Sequence, residues 1–201
     1  TYAARLQFVV DRSELLRNFA SNAKILDEVD SLVNYISTND LLKLRRITVK
    51  GYASPEGPTQ HNIQLSQDRA KALAHYLRGR HNYHYADMPI SSEGFGEDWD
   101  GLRKEVAASA LADKQRIMDI IDNIYDTDQR KRTLEALNGG RTYRFLLDYY
   151  YPPLRRNEFV FEYEVRNFTT EESEKLMWER PELLSLNEMF NVSQRYEPGS
   201  G

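Results

Sequence analysis

Cysteine is absent from the 201-residue chain. Its absence excludes disulfide bonds, thiolate metal sites and cysteine nucleophiles, but it leaves the compartment open, because an exported protein can also lack thiols. The sequence has no apolar run approaching the roughly 20 residues that a membrane-spanning helix needs. The first residues, TYAARLQF, have neither the basic nor the apolar region of a signal peptide. We therefore expect no membrane span in this chain, and we expect any export signal to lie upstream or to have been removed.

An excess of positive charge is absent as well. The chain has 27 Lys and Arg against 31 Asp and Glu, which gives a net charge of −4 and a pI near 5.7. Because nucleic-acid binders normally present a basic surface, we predict no nucleic-acid partner. The residues that are present, 40% hydrophobic and 29% charged, are typical of a folded globular protein with one core of ordinary size.

The most informative stretch runs from Ile47 to Leu77. Ile47 and Val49 alternate with polar residues, which predicts a strand with one buried face. The glycines and prolines of GYASPEGP then predict a loop. From Thr59 onward the apolar residues fall on one helical stripe. The loop therefore brings polar side chains to the carboxyl end of a strand, where α/β proteins usually place their ligand sites.

The rest of the pattern predicts an α+β (mixed α/β) fold with the order β-α-β-α-β-(helical insertion)-β. We expect a four-stranded mixed sheet with helices packed on it. The helical insertion is predicted at about 102–153, where an isoleucine stripe needs a surface to bury against. Predicted strands lie near 5–10, 46–52, 90–95 and 158–166, and the helices that cover the sheet lie at 22–37 and 60–78.

The end of the chain has helical signals of its own. Thr169 and Glu172 predict a capping box, and a helix is predicted from Glu182 to Tyr196. We expect a domain over 1–168 and a C-terminal helical extension over 169–201 that lies outside the sheet domain. The sequence LLSLNEMFNVSQRYEPGS resembles the approach to a helix-pair repeat of the tetratricopeptide type, which predicts the start of a truncated repeat region.

The central stretch also carries a motif at unbroken spacing, G-[HY]-T-D-x-x-G-x-x-x-x-N-x-x-L-S-x-x-R-A. The matching residues are Gly51, Tyr52, Gly57, Asn62, Leu65, Ser66, Arg69 and Ala70. Further along the chain, Gly94, Gly96 and Glu97 match a G-x-G-E turn, and Arg155-Arg156 match an N-R-R entry to the last strand. The chain thereby resembles the OmpA-like peptidoglycan-binding domain. The resemblance implies a non-catalytic module of the cell envelope, at the periplasmic face of the outer membrane, that binds the diaminopimelate-type stem peptide of peptidoglycan non-covalently.

The same resemblance implies a ligand site around the loop. In the family, an Asp after the Thr holds the ammonium of the ligand, and the Arg holds its carboxylate. Here Arg69 matches that Arg, while Ser54 stands at the Asp position. Glu56, two residues on, can restore the charge from a different backbone point, and Asn62 can fix the loop by bonding backbone amides. The predicted ligand-binding residues are Arg69, Asn62, Ser54, Glu56 and Tyr52.

A second hypothesis follows from Ser54. It describes a degenerate OmpA-like domain, without the ligand, that serves as a structural or protein-interaction domain of an outer-membrane-associated protein. Other envelope proteins would then bind through the helical insertion or the C-terminal extension. Each of the two charged residues also has an alternative without a ligand: Arg69 can be a solvated helix residue paired with Asp68 or Asp98, and Glu56 can be a solvated loop residue.

The sequence gives little support to a catalytic function. The chain has no G-x-S-x-G, no H-E-x-x-H and no glycine-rich phosphate loop. His81 and His84 are three residues apart but have no third ligand nearby, and His75 is predicted to face water. Gly94-x-Gly96 lacks the third glycine of a nucleotide-binding loop. The third hypothesis, an enzyme, rests on these features alone, and we predict a protein with no catalytic residues, metal or cofactor.

Overall fold

The computed structural model describes residues 2–39, 41–80 and 90–196 of the chain, so that His81 and His84 lie outside the described residues. Four strands and eight α-helices follow one another in this part of the chain. The strands are β1 (Tyr2–Gln7), β2 (Leu42–Ala53), β3 (Ile90–Glu97) and β4 (Arg156–Val165). The helices are α1 (Asn22–Thr38), α2 (Thr59–Arg80), α3 (Trp99–Ala108), α4 (Lys114–Asn123), α5 (Thr127–Ala136), α6 (Arg141–Phe145), α7 (Thr170–Glu179) and α8 (Leu186–Ser193).

The four strands form one mixed sheet in the order β1-β4-β2-β3. β4 is antiparallel to both of its neighbours, and β2 is parallel to β3. Ile47 marks the centre of the sheet, because it pairs with Phe161 on one side and with Ile90 on the other. Helices α1 and α2 connect the strands and pack on the sheet. The predicted mixed α/β fold is therefore confirmed.

The core of the sheet domain lies between the sheet and helices α1 and α2. Ile47 and Val49, which alternate with half-buried neighbours along β2, are fully buried in this core. Phe159 and Phe161 pack edge to face on β4, with ring centroids 5.8 Å apart. The other buried members of the cluster are Leu6, Leu26, Val29, Val33, Ala70, Leu73 and Leu77.

Two glycines bring helix α2 close to the sheet. A Cβ atom on Gly51 would lie 2.0 Å from the carbonyl oxygen of Ser66, and one on Gly94 would lie 2.4 Å from the backbone nitrogen of Gln67. Any larger residue would therefore force the helix away from β2 and β3. The close packing lets Ser66 Oγ accept the Gly96 N–H at 2.8 Å, and it holds the next turn of α2, with Arg69, beside the loop that follows β2.

The segment between β3 and β4 is a helical unit with a core of its own. Leu102, Val106, Ile117 and Leu134 are fully buried there, together with Tyr151 and neighbouring apolar residues. The predicted helical insertion over about 102–153 is confirmed, and its last helix continues as a π-helical turn over Leu146–Tyr150. Asn138-Gly139-Gly140 adopt positive φ angles, as expected of residues that end a helix.

The first strand differs from its prediction. It ends at Gln7 rather than at residue 10, although the apolar run LQFVV continues. The Phe8 N–H donates to the Arg155 carbonyl at 2.8 Å, and the carbonyl of Val9 accepts from Arg69. The run therefore serves two purposes, because its first half belongs to the sheet and its second half covers Arg69.

The C-terminal helices also differ in extent from their prediction. The capping box of Thr169 and Glu172 is present at the start of α7. The single helix predicted from Glu182 to Tyr196 is wrong, because a 3₁₀ turn ends at Leu183 and Ser185 caps a new helix, α8. Helices α7 and α8 pack against each other. Phe190 is 59% exposed. The domain boundary at residue 168 and the tetratricopeptide-type repeat stay predictions.

No described helix is long and apolar enough to cross a membrane.

Candidate functional site

A cavity of about 260 Å³ lies where β2 ends and α2 begins. Its lining includes Ser54, Glu56, Asn62 and Arg69, four of the five residues predicted for the ligand site. The segment after β1 and the first turn of α2 contribute Asp11 and His61, whose Oδ1 and Nε2 atoms are 2.5 Å apart. The fold therefore gathers residues of the OmpA-like motif around a space large enough for part of a small ligand.

Arg69 forms a buried part of this site. Its exposed fraction is 0%, and its guanidinium donates to three backbone carbonyls, those of Arg12 (3.0 Å), Tyr52 (2.9 Å) and Val9 (3.2 Å). Burial removes water from the charge and lowers the pKa of Arg69 to about 10, and the nearby Arg155 adds to this effect. The alternative of a solvated arginine is wrong. Three of its five N–H groups are used within the chain.

The partners expected for a solvated Arg69 have other contacts. Asp98 forms an ion pair with Arg156, and Asp98 also caps α3 by accepting the Gly101 N–H at 3.0 Å. Asp68 accepts a hydrogen bond from Gln64 at 2.9 Å. Neither carboxylate therefore balances the charge of Arg69.

Glu56 points into the site rather than into solvent. Its side chain is 21% exposed and forms an ion pair with Arg155 at 2.8 Å. The hydroxyl of Ser54 donates to the same carboxylate at 2.8 Å, and Ser54 itself is only 3% exposed. The alternative of a solvated loop glutamate is therefore wrong. A negative charge lies directly beside the position where the family motif has its Asp.

Asn62 holds the loop as the motif predicts. Its Nδ2 group donates to the Glu56 carbonyl at 2.7 Å and to Glu97 Oε1 at 2.9 Å. Tyr52 contributes its carbonyl to Arg69, but its ring is not among the residues that line the cavity. That ring stacks on Phe95 instead, with centroids 5.4 Å apart. The side chain of Tyr52 is the one predicted ligand contact that the fold places elsewhere.

Lys131 is a site residue that the sequence does not predict. It belongs to α5 of the helical insertion, yet its Nζ donates to the Gly57 carbonyl and to Thr59 Oγ1, both at 2.7 Å. It also forms an ion pair with Glu97, and both side chains are less than 10% exposed. The insertion thus holds the loop together with Asn62, because Lys131 and Asn62 both contact Glu97 Oε1. Because 74 residues separate Lys131 from Gly57, no local pattern reveals this contact.

Arg155 is the second unpredicted site residue. Its Nε donates to Glu56 at 2.9 Å and to Ser54 Oγ at 3.2 Å, and its side chain is 11% exposed. The match of Arg155-Arg156 to the N-R-R motif was the available signal, but that match did not indicate which carboxylate Arg155 contacts. The ion pair therefore connects the loop after β2 to the residue just before β4, the strand next to β2.

The arrangement of the motif around this loop agrees with a comparison of the whole sequence. A model of the OmpA family matches residues 8–116, which is more than half of the 201-residue chain. The chain belongs to the OmpA family. The matched range contains β2, α2, β3 and the cavity residues from Val10 to Arg69, and it extends into the helical insertion as far as α4.

Relatives of this OmpA family member give further context. Outer membrane protein 41 of Porphyromonas gingivalis (strain ATCC BAA-308 / W83) is 34% identical over 85 residues, which is 41% of this chain and 20% of that protein. The chain therefore spans about a fifth of the length of this curated relative. Two solved structures align with TM-scores below 0.5. The peptidoglycan-associated lipoprotein from Burkholderia pseudomallei has a TM-score of 0.40, 12% identity and coverage of 79% of this chain and 89% of that one. A putative MotB like protein from Desulfovibrio vulgaris has a TM-score of 0.38, 15% identity and coverage of 83% and 76%.

The two glycines behind the enzyme hypothesis have structural roles in this OmpA family member. Gly94 allows the close approach of α2, and Gly96 has a φ of +68° in the bend that ends β3. His75 is exposed on α2, as predicted. Among residues 2–39, 41–80 and 90–196, no group of three or more His, Asp or Glu side chains is placed to hold a metal ion.

Proposed function

We propose that this chain is a non-catalytic module of the bacterial cell envelope that binds peptidoglycan non-covalently in the cavity beside Ser54 and Glu56. The ligand is the diaminopimelate-type stem peptide, and the module works at the periplasmic face of the outer membrane. Membership of the OmpA family supports the proposal, as does the gathering of motif residues around one cavity. The name of the relative in P. gingivalis supports the location.

The observation that carries the proposal is the position of the Glu56 carboxylate. The family motif has an acid at residue 54 to hold an ammonium, and a hydroxyl there brings no charge. Glu56 supplies the missing charge, because its Oε1 is 2.8 Å from Ser54 Oγ and the side chain lines the cavity. An ammonium that enters the cavity therefore finds an anion in place of the water it loses.

Arg69 has an electrostatic part in the proposed binding. Arg69 lines the cavity although its exposed fraction is 0%, so its charge attracts a carboxylate that occupies the cavity. Two of its five N–H groups have no acceptor among the described residues. A ligand that bears both an ammonium and a carboxylate thus meets a charge of opposite sign for each.

Co-sedimentation with purified peptidoglycan tests the proposal. We expect the natural protein to bind, and we expect Glu56→Gln to weaken binding about tenfold, because a charged hydrogen bond contributes about 1.5–3 kcal/mol. Adding Ser54→Asp to Glu56→Gln moves the charge to the family position and should restore binding. Glu105→Gln, on the exposed face of α3, is the matched control. Undiminished binding by Glu56→Gln would contradict the proposal.

A second candidate is the structural or protein-interaction domain. The observation that favours it is that the chain supplies counter-groups of its own, with backbone carbonyls on Arg69 and the Arg155 guanidinium on Glu56. Under this candidate, other envelope proteins bind through the helical insertion or the C-terminal extension, and the natural protein does not sediment with peptidoglycan. Binding gained only on Ser54→Asp would identify a retired site.

A further inference from the structure

The polar contacts of the Glu56 side chain within the described residues all fall on one of its two carboxylate oxygens. Oε1 accepts from Ser54 Oγ at 2.8 Å, from Arg155 Nε at 2.9 Å and lies 2.8 Å from Arg155 Nη2. Oε2 has no hydrogen-bond partner among the described residues. A carboxylate held by three contacts on one oxygen has a fixed orientation, and its other oxygen is available to a ligand.

Arg155 is itself held firmly in the fold. It follows the turn Pro152–Leu154, and its backbone carbonyl accepts from the Phe8 N–H at 2.8 Å. Its side chain is 11% exposed, and it does not belong to the residues found to line the cavity. Arg155 therefore approaches Glu56 through the protein and leaves the cavity open.

Ser54 presents a second acceptor at the same place. Its hydroxyl has one hydrogen, which it donates to Glu56, so toward any further group Ser54 Oγ can only accept. It takes one hydrogen bond from Arg155 Nε at 3.2 Å, and one lone pair remains. Ser54 Oγ and Glu56 Oε2 together offer two acceptor oxygens, the same number that a single Asp carboxylate would offer.

We propose that Arg155 is the positioning residue of an ammonium subsite formed by Ser54 and Glu56, an inference that rests on the proposed binding of a stem peptide. Arg155 fixes the carboxylate of Glu56 so that the pair replaces the Asp of the family motif. The subsite selects a diamino acid residue, whose distal ammonium it accepts, over a residue of the same length without that ammonium.

Calorimetry with two matched tripeptides tests this role. One carries diaminopimelate at its third position, and the other carries 2-aminopimelate there, which removes only the distal ammonium. We expect the natural protein to prefer the diaminopimelate peptide about tenfold or more, in line with a charge-assisted hydrogen bond. In Arg155→Gln the preference should fall to about one, because the carboxylate loses its fixed orientation.

Three further variants separate positioning from structural support. Arg155→Lys keeps the charge without the planar fork and should retain part of the preference. Glu56→Gln should abolish the preference, and Arg155→Gln in the Glu56→Gln background should cause no further loss. That double variant leaves no unpaired charge, so its folding shows whether an unfolded Arg155→Gln owes its instability to the unpaired Glu56, and Arg155→Lys then tests the preference itself. Arg103→Gln, which breaks the exposed ion pair with Asp122, is the matched control.

The outcomes distinguish this inference from the proposed function. A preference that rises in Arg155→Gln would show that Arg155 competes with the ligand for Glu56 and would overturn the inference. Equal binding of both peptides by the natural protein would also overturn it, while peptidoglycan binding itself would stand. Binding of neither peptide, together with no co-sedimentation with peptidoglycan, would overturn the proposed function and the inference with it.

Discussion

Among single residues, Arg69 has the most demanding environment in the site. Its buried guanidinium joins three backbone segments, because the carbonyls of Val9, Arg12 and Tyr52 all accept from it. Arg69→Met should lower the free energy of unfolding by about 2–4 kcal/mol, since it leaves these carbonyls without donors, although it also relieves the cost of a buried charge. Urea unfolding measures the change. A loss of less than about 1 kcal/mol would contradict this role.

Lys131 is the second residue whose removal should be costly. Its ammonium and the Glu97 carboxylate are both buried, and breaking one partner of a buried pair typically costs about 3–5 kcal/mol. We expect Lys131→Met to lose stability in this range in urea unfolding. Lys131→Met combined with Glu97→Gln should recover much of it, because no buried charge is left unpaired. Equal losses in the single and the double variant would show that the ion pair does not matter.

These residues show how far a sequence predicts a site. Arg69, Asn62 and Ser54 follow from a motif of fixed spacing, because they lie on one strand–loop–helix unit whose geometry is local. The direction of Glu56 does not follow, because it depends on Arg155, which is 99 residues away along the chain. Lys131 was missed for the same reason. Contacts that a loop makes with a distant insertion leave no periodic signal near the loop.

At the scale of elements, the start of α7 depends on a charged cap. Hydrogen bonds from Arg166 and from the Thr169 backbone lower the pKa of Glu172 to about 2. Since the folded pKa lies below the ordinary value of 4.5, Glu172 contributes its full stabilisation above about pH 4.5, and this is lost as the pH falls through about 2. NMR titration of the Glu172 carboxyl group should show this low pKa.

Arg166→Gln is the matched variant for the cap. It removes the largest cause of the shift while it leaves the Thr169 contact in place. The pKa of Glu172 should then move up toward its ordinary value. A pKa near 4.5 for Glu172 in the natural protein would show that the cap is not formed in solution.

Element boundaries were predictable where periodicity and caps agree. Helices α1 and α2 and the insertion helices have clear apolar stripes, and their predicted positions match the structure closely. The first strand was placed too far along the chain because Phe8 is buried for a different reason, beneath the guanidinium of Arg69, at 5.3 Å from its ring. An apolar run alone does not distinguish a residue in a sheet from a residue that covers a buried charge.

At the scale of the whole molecule, two apolar clusters form most of the core. One lies between the sheet and helices α1 and α2, and the other lies within the helical insertion. Among the described residues, neither cluster includes any beyond Phe161. Lys131 joins the insertion to the loop after β2. The insertion and the sheet should therefore unfold together as one unit. The helices after residue 168 should contribute little to the stability of that unit.

A variant that ends at residue 168 tests this organisation. We expect it to fold, with a melting temperature within about 4 °C of that of the full chain. The contacts it loses include exposed ion pairs such as Arg166–Glu172, and such pairs contribute little to the free energy of unfolding. Peptidoglycan binding should be unchanged, since every cavity residue is retained. Ile117→Ala in the insertion core should instead cost about 2–5 kcal/mol, because it leaves a cavity at a fully buried position. Thermal unfolding compares the two variants directly. Loss of folding in the shortened chain would show that α7 and α8 belong to the sheet domain, and it would remove the basis for a separate C-terminal extension.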